Sequence, residues 1–255
     1  MSFLVGDYVT RKSYHDDVVF TILSIKGEIA YLKGVYVRLY ADALLSDLNK
    51  WDSGEREVED EFEAMLDIRS DYFYLPGKIL HVDADEDYLK RCIKFYKKHH
   101  LKAVGKQIDE VDMPSKIGYL LNKYQPDIVI ITGHDAYYSK NGDPKNSLNY
   151  RNTKYFIQAV KEARKYEKSH EKLAIIAGAC QSNYEELIKA GANFASSPKR
   201  VNIHALDPAI IAYYLATSDH SKTIDLLDIL NKTKYGSDGM GGIVCNGMMY
   251  IGFPR

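Results

Sequence analysis

The sequence predicts an α/β protein whose mainly parallel sheet is flanked by helices and preceded by a small all-β region. From residue 75 onward, continuous apolar stretches alternate with amphipathic ones, as expected when crossover helices cover both faces of a sheet. Before residue 45, β-branched and aromatic residues alternate with polar ones, which is typical of short, half-exposed strands. An acidic stretch separates these two patterns. We therefore expect three regions, namely 1–45, 46–74 and 75–255.

The composition indicates a protein without a strong electrostatic field. Of the 255 residues, 45% are apolar and 27% are charged, and the formal net charge is −1. This balance offers no basic surface for nucleic acid, so we expect no nucleic-acid partner. The start of the chain lacks the pattern of a secretory signal, and no stretch approaches the roughly 18 apolar residues of a membrane span. These features predict a cytoplasmic protein with no membrane span.

The first region contains four short stretches with the alternation of strands. Gly27 and Gly34 lie near the expected turns between them. The pattern predicts a small SH3-like β-barrel over residues 1–45. The stretches are VGDYVTR, DDVVFTILSI, EIAYLKG and VYVRLYAD.

The acidic region, 46–74, loses the alternation of strands. Four of its apolar residues are close to helical spacing, so the region is interpreted as a linker that contains a helix. These residues are Phe62, Met65, Leu66 and Ile68.

The third region shows the strand–helix rhythm of a sheet with crossover helices. In such sheets ligands bind beyond the carboxyl ends of the strands, so the residues that follow each strand deserve the closest inspection. The glycine-rich stretches DGMGG and CNGMMYIGFP predict a terminal hairpin. Strands are expected at PGKILHVDAD, KAVGKQI, PDIVIITGHD, LAIIAGAC and ANFASS, and helices at DEDYLKRCIKFYKKHH, PSKIGYLLNKY, NYRNTKYFIQAVKEARKYE and QSNYEELIKA.

His134 and Cys180 each follow a strongly apolar strand, and one loop and one helix separate those strands. A right-handed crossover brings both strand ends to the same edge of the sheet. Taken alone, Cys180 fits a buried structural cysteine, as Cys92 and Cys245 do. The joint arrangement favours a nucleophile and its base, because an adjacent histidine or a helix N-terminus raises the thiolate fraction of a cysteine. The helix expected directly after Cys180 would supply the second effect.

These blocks also carry a family resemblance. IVIITGHDAYY and LAIIAGACQS resemble the histidine and cysteine blocks of caspase-like cysteine peptidases. Those enzymes usually place a glycine after the histidine, whereas here Gly133 precedes it and Asp135 follows. Over nearly the whole chain the sequence resembles the YabG family of sporulation-specific proteases of spore-forming Firmicutes. The blocks that carry this resemblance are GDYVTRKSY, LKGVYVRLYADA, LPGKILHVDAD, YRNTKYF, GACQSNYEELIKAGANFASSPKRVNIHALDP and DGMGG.

The resemblance implies a cysteine endopeptidase with a caspase-like fold that processes spore coat and germination proteins and prefers to cleave after basic residues such as arginine. Cys180 would attack the scissile carbonyl, and His134 would protonate the leaving amine and later activate water. Backbone N–H groups of Asp135 and Cys180 would bind the oxyanion. No cofactor and no metal are implied. The expected partners are protein substrates, and the expected location is the mother-cell cytoplasm, in association with the spore coat.

Asp83 and Asp85 are candidates for the substrate-binding pocket. They end a strand at the edge where the dyad is expected, and a carboxylate pairs bidentately with a guanidinium. Both also fit a cap of the following helix, an interpretation that is stronger for Asp85. The stretch SSPKRVNIHALDP is interpreted either as a substrate-side loop or as a plain surface loop, and its polar residues are Lys199, Arg200, His204 and Asp207.

Two other functions compete with this interpretation. HVDADEDYL and QPDIVIITGHD imitate the acidic and acceptor strands of a receiver-like binding module, but Gly133 and His134 stand where that module needs its acceptor aspartate. A thiol amidotransferase or another thiol hydrolase would keep Cys180 and use His204 as the base.

Overall fold

The structure is a computed structural model. It describes residues 3–35, 39–51, 72–138, 143–144 and 146–253. The chain divides into two compact units, Met1–Ser70 and Asp71–Arg255. The helix expected around Phe62 and Ile68 lies outside the described residues.

The first unit contains a five-stranded antiparallel sheet in the order β4-β3-β2-β1-β5. Leu48 is buried in its core and pairs with Arg11, so the sheet extends beyond the predicted boundary at residue 45. Closure of this sheet into an SH3-like barrel stays a prediction. The strands are β1 Tyr8–Arg11, β2 Phe20–Lys26, β3 Ile29–Gly34, β4 Tyr40–Leu44 and β5 Leu48–Lys50.

The second unit is built on a six-stranded sheet in the order β12-β11-β10-β9-β7-β8. Neighbouring strands are parallel except β12, which runs antiparallel to β11. The predicted mainly parallel sheet is therefore confirmed. Its strands are β7 Ile79–Asp83, β8 Ala103–Gln107, β9 Ile128–Thr132, β10 Ala174–Ala177, β11 Phe194–Ser196 and β12 Met240–Gly242. A separate antiparallel pair consists of β6 Phe73–Leu75 and β13 Tyr250–Gly252.

Helices cover both faces of this sheet. No helix within the described ranges is both long and apolar enough to cross a membrane. The helices are α1 Glu86–Lys98, α2 Met113–Tyr124, α3 Thr153–Tyr166, α4 Tyr184–Ala190, α5 Asp207–Thr217, α6 Leu226–Asn231 and α7 Gly236–Gly239.

Alternate residues of each strand enter different hydrophobic cores. In β9, Ile128 and Ile130 pack with residues of α1, α5 and α6, whereas Val129 and Ile131 pack with residues of α2, α3 and α4. Each of these side chains is fully buried, and such burial stabilises the fold by roughly 1.5–3 kcal/mol per side chain. This explains why the strand is a continuous apolar run: both of its faces are covered.

The predicted terminal hairpin is wrong, because its two halves join different sheets. β12 pairs with β11, and β13 pairs with β6. A Cβ atom at Gly242 would lie 2.6 Å from the carbonyl oxygen of Asn193. The glycine therefore permits a close approach of the backbone to β11, and it does not mark a turn.

Candidate active site

The candidate site lies where β7, β9 and β10 end, at the carboxyl edge of the sheet. A cleft of about 270 Å³ opens there, and its lining includes Asp83, His134, Cys180 and His204. Because β9 and β10 are adjacent and parallel, the residues that follow them leave the sheet at the same edge. The structure thus brings the two predicted dyad residues into one cleft with one predicted pocket carboxylate. The other predicted pocket residue, Asp85, lies beside His134.

His134 is held through its backbone and through one ring nitrogen. Its N–H donates to Glu110 Oε1 at 2.8 Å, and its carbonyl oxygen accepts from Asn152 Nδ2 at 2.8 Å. The side chain is 53% exposed, and Nε2 lies 3.0 Å from Asp85 Oδ2. A carboxylate at Nε2 favours the tautomer with the proton on that nitrogen. The lone pair then resides on Nδ1, for which the described residues provide no hydrogen-bond partner.

Cys180 lies in a tight turn after β10. Gly178 has a φ of 101° and Gln181 a φ of 59°, so the backbone is left-handed on both sides of the cysteine. The thiol is half-buried at the cleft, and the N–H of Ile203 points at its sulfur, 3.4 Å away. The sulfur also lies 3.8 Å from the carbonyl oxygen of Ile203, to which the thiol can donate.

The prediction that a helix begins directly after Cys180 is wrong. α4 begins at Tyr184, and the side chain of Asn183 caps it by accepting from the N–H of Glu186. The left-handed conformation of Gln181 interrupts the chain between strand and helix. Cys180 is therefore not at the helix N-terminus, and the predicted contribution of the helix dipole to the thiolate is absent.

The side chain of Asp135 links the two loops that carry His134 and Cys180 through hydrogen bonds. Its buried carboxylate accepts from the Asn152 N–H at 2.8 Å, from the Thr153 hydroxyl, and from the Ser182 hydroxyl at 2.8 Å. The Ser182 hydroxyl in turn accepts from the N–H of the residue before Cys180 at 2.9 Å. The Asp135 side chain therefore has a structural role. The backbone N–H of Asp135, in contrast, donates to no acceptor among the described residues.

Asp83 is the buried carboxylate of the cleft. It is 3% exposed, and its Oδ1 accepts from the N–H of Asp85 at 2.8 Å. Its Oδ2 lies 3.6 Å from Nε2 of the buried His81, whose Nδ1 is 2.9 Å from the hydroxyl of Tyr96. Within the part of the chain that the structure describes, Nε2 of His81 has no hydrogen-bond partner. The carboxylate therefore keeps capacity to accept hydrogen bonds from a ligand in the cleft.

Asp85 caps α1, which confirms the helix-cap interpretation of this residue. Its Oδ1 accepts from the N–H groups of Asp87 and Tyr88, each at 2.9 Å. The Tyr88 N–H, and after it His134 and the Asp87 N–H, hold the pKa of Asp85 below its ordinary value against the opposing effect of burial. Asp85 is therefore ionised at neutral pH, with its second oxygen directed at His134.

His204 also faces the cleft, but its hydrogen bonds differ from those of His134. Its Nδ1 accepts from the N–H of Leu206 at 3.3 Å, so the neutral ring carries its proton on Nε2. In the same loop, Arg200 Nε donates to the Tyr150 hydroxyl at 2.6 Å, and its NH2 group contacts Glu185 at 2.5 Å. Of the predicted substrate-side loop, residues 203–205 and Pro208 line the cleft.

Tyr88 and Arg91 line the cleft and were not predicted as site residues. They lie almost one turn apart on α1, and the Arg91 guanidinium carbon is 5.6 Å from the centre of the Tyr88 ring. A usable signal existed in the sequence. The helix begins immediately after the strand end at Asp83, so its first turns must lie at the same edge as the dyad.

Comparison with known proteins confirms the family resemblance. The family model described as YabG peptidase U57 matches residues 4–67 and 52–254. The chain is also 41% identical, over an alignment 286 positions long, to the sporulation-specific protease YabG of Bacillus subtilis strain 168. The match covers 100% of the chain and 99% of that protein. The chain therefore belongs to the YabG peptidase family, a family of enzymes that hydrolyse peptide bonds.

Proposed function

We propose that the chain is a cysteine endopeptidase in which Cys180 is the nucleophile and His134 is the general acid and base. The main support is that both side chains line one cleft, at the ends of adjacent parallel strands. The lone pair on Nδ1 of His134 suits removal of the thiol proton, since Nε2 is bonded to Asp85. The thiolate then attacks the scissile carbonyl and forms a tetrahedral oxyanion.

The oxyanion is bound by the backbone N–H groups of Asp135 and Cys180. Neither group donates to an acceptor in the described parts of the chain, whereas the N–H of His134, next to Asp135, is already bonded to Glu110. Collapse of the oxyanion expels the amine, which takes its proton from His134 and leaves a thioester on Cys180. Water, deprotonated by His134, then hydrolyses the thioester. Loss of one oxyanion donor typically costs about 10²–10³ in kcat.

We propose that the cleft accepts an arginine side chain beside the scissile bond and that Asp83 binds it. A guanidinium pairs with a carboxylate through two parallel hydrogen bonds, and Asp83 is buried where this pair is shielded from water. The sequence also predicts Asp85 as a pocket carboxylate. Its oxygens already accept from two backbone N–H groups and contact His134, so we base the pocket on Asp83 alone.

We also propose the finer features that the family resemblance implies. The substrates are spore coat and germination proteins, and the enzyme acts in the mother-cell cytoplasm and associates with the spore coat. The name of the Bacillus subtilis relative, a sporulation-specific protease, supports the developmental setting. We assign a caspase-like arrangement to the α/β unit, on the grounds of its strand-end dyad. The antiparallel strands of the first unit support the SH3-like barrel.

The dyad is tested with a spore-coat extract and three variants. Wild-type enzyme is expected to create new protein termini, which mass spectrometry maps, and arginine should precede the cleaved bonds. Cys180→Ala and His134→Ala should create none, whereas His204→Ala should retain the pattern. Activity that survives His134→Ala and disappears with His204→Ala would support the rival thiol hydrolase. Activity that survives Cys180→Ala would exclude cysteine catalysis at this site.

The pocket is tested with two fluorogenic peptides that differ only in arginine or its neutral isostere citrulline before the cleaved bond. Wild-type enzyme should prefer arginine strongly. Asp83→Asn should lower kcat/KM for the arginine peptide at least about 30-fold, because truncating one partner of a buried charge pair costs about 2 kcal/mol or more. The same substitution should change kcat/KM for the citrulline peptide much less. An unchanged preference for arginine would assign the pocket to another residue.

A further inference from the structure

We infer that Asp85 is the positioning residue that orients the His134 imidazole toward the thiol. The observation is the 3.0 Å contact between Asp85 Oδ2 and His134 Nε2. This inference rests on the proposed function, because it assigns a role relative to the Cys180–His134 dyad. It extends that dyad to a carboxylate–imidazole–thiol series.

The carboxylate of Asp85 is itself fixed. Its Oδ1 accepts from both the Asp87 and the Tyr88 N–H at the start of α1. Two bonds to one oxygen set the rotation of the carboxyl group, so the position of Oδ2 follows from the helix cap. The cap therefore fixes Oδ2 relative to α1, and the bond from Oδ2 fixes the orientation of the histidine ring.

The imidazole needs such a partner because packing does not hold it. More than half of the His134 side chain is exposed, at 53%, and the Tyr88 ring lies beside it with its centre 5.8 Å away. The backbone of His134 is bonded to Glu110 and Asn152, which fixes the Cα position and leaves ring rotation to be set by the side chain's own contacts. The bond to Asp85 is the ring-nitrogen contact that does this among the described residues.

The chemical consequence concerns which nitrogen carries the proton. With the Asp85 carboxylate at Nε2, the neutral ring has its lone pair on Nδ1, the nitrogen available to the thiol. When Nδ1 takes the thiol proton, the carboxylate also stabilises the resulting imidazolium. The other titratable or charged groups near His134, in the cleft or at its backbone, are Asp83, Tyr88, Arg91, Glu110, Cys180 and His204.

The test is Asp85→Asn, because asparagine caps a helix as well as aspartate but carries no charge. The variant should stay folded, with a urea midpoint lowered only by the small contribution that the charge of Asp85 makes to stability. Its kcat should fall roughly 10²–10⁴-fold, as expected when the base loses its orienting carboxylate, with little change in KM. In histidine NMR spectra the His134 ring should also lose its preference for the tautomer with the proton on Nε2, because the carboxylate that accepts from that nitrogen is gone. Asp87→Asn is the matched control, since it removes the same charge from the same turn and should change neither quantity.

The outcomes separate this inference from the function on which it rests. If Cys180→Ala is inactive while Asp85→Asn keeps wild-type kcat and the wild-type His134 tautomer, the dyad stands and the role of Asp85 is overturned. A loss of activity in Asp85→Asn that parallels an equal shift of the urea midpoint also counts against positioning, as does an equal effect of Asp87→Asn. Retained activity in Cys180→Ala overturns the proposed function instead.

Discussion

Cys180 differs from the other two cysteines in its surroundings. Burial, together with the nearby Asp83, raises the pKa of Cys92 to about 12, and burial raises that of Cys245 to about 11. Both thiols are buried, whereas Cys180 is partly buried, lines the cleft and receives the N–H of Ile203. Of the three cysteines, Cys180 therefore has the surroundings that the proposed nucleophile needs.

Asp135 is expected to contribute strongly to stability although it directly follows His134, the proposed general acid and base. Replacing it with alanine removes the acceptor for the Asn152 N–H and for the Thr153 and Ser182 hydroxyls. We predict that Asp135→Ala lowers the free energy of unfolding by about 3 kcal/mol, since buried donors without partners are costly. Urea unfolding measures the change.

The control for this prediction is Asp109→Ala, which removes an exposed contact with Gln107. Its expected effect is within about 0.5 kcal/mol. Equal stability of the Asp135 and Asp109 variants would show that the buried network around Asp135 does not hold the two loops.

The sequence predicts the positions of His134 and Cys180 well because each follows an apolar strand, and parallel strands end at one edge. The role of the Asp135 side chain is not predictable in this way. Its partners Thr153 and Ser182 are distant in sequence, and each is a residue type that commonly occurs near helix starts. Only the packing of the two loops reveals that they share one acceptor.

At the scale of elements, the turn after β10 depends on Gly178. Its φ of 101° is unfavourable for other residues, and a Cβ there would lie 2.5 Å from Ser196 Oγ and 2.7 Å from Leu187 Cδ1. We predict that Gly178→Ala lowers the free energy of unfolding by more than about 1 kcal/mol and displaces Cys180, which lowers activity. Denaturation and peptide cleavage measure the two effects.

Gly118 provides the opposite case within α2. A Cβ at this position would meet nothing within 4 Å, and the helix interior disfavours glycine. Gly118→Ala should therefore raise the free energy of unfolding by about 0.5–1 kcal/mol and leave activity unchanged. If both glycine variants shift stability in the same direction, the account of the Gly178 turn is wrong.

Long periodic elements are predictable from the sequence, whereas their junctions are not. β9 is recognisable as a continuous apolar run because both of its faces are buried, and α1 is recognisable by its apolar residues at a period of 3.6. The start of α4 is not predictable, because Gln181 gives no sign of its left-handed conformation. The pairing of β12 is not predictable either, because glycine occurs both in turns and at close contacts between backbones.

At the scale of the whole molecule, acid should destabilise the fold through its carboxylates. The N–H groups that cap α1 lower the pKa of Asp85, and the N–H and hydroxyl of Ser221 lower the pKa of Asp219. A pKa that is lower in the folded state contributes stability above the unfolded value of about 4 and loses it as the pH falls through the folded value. We predict a nearly constant free energy of unfolding above about pH 5 and a steady fall below about pH 4.

Urea unfolding at a series of pH values checks this dependence. In the double variant Asp85→Asn, Asp219→Asn the free energy of unfolding should fall less steeply with falling pH, because the two carboxylates whose protonation costs stability are missing. Equal slopes for the variant and the wild type below pH 4 would mean that other carboxylates dominate the acid response.

The second unit places the candidate residues at one edge of its sheet. Asp83 ends β7, His134 follows β9 and Cys180 follows β10, while Asp85 caps α1 at the same edge. The central claim is that this edge carries a thiol and an imidazole that act together.

The most direct test of that claim is covalent labelling with a peptidyl acyloxymethyl ketone that carries arginine next to its reactive carbon, followed by peptide mapping by mass spectrometry. A thiolate displaces the carboxylate and forms a stable thioether. The account predicts one adduct on Cys180, none on Cys92 or Cys245, and its loss in His134→Ala. An adduct on another residue, or equal labelling of Cys180 in His134→Ala, would contradict it.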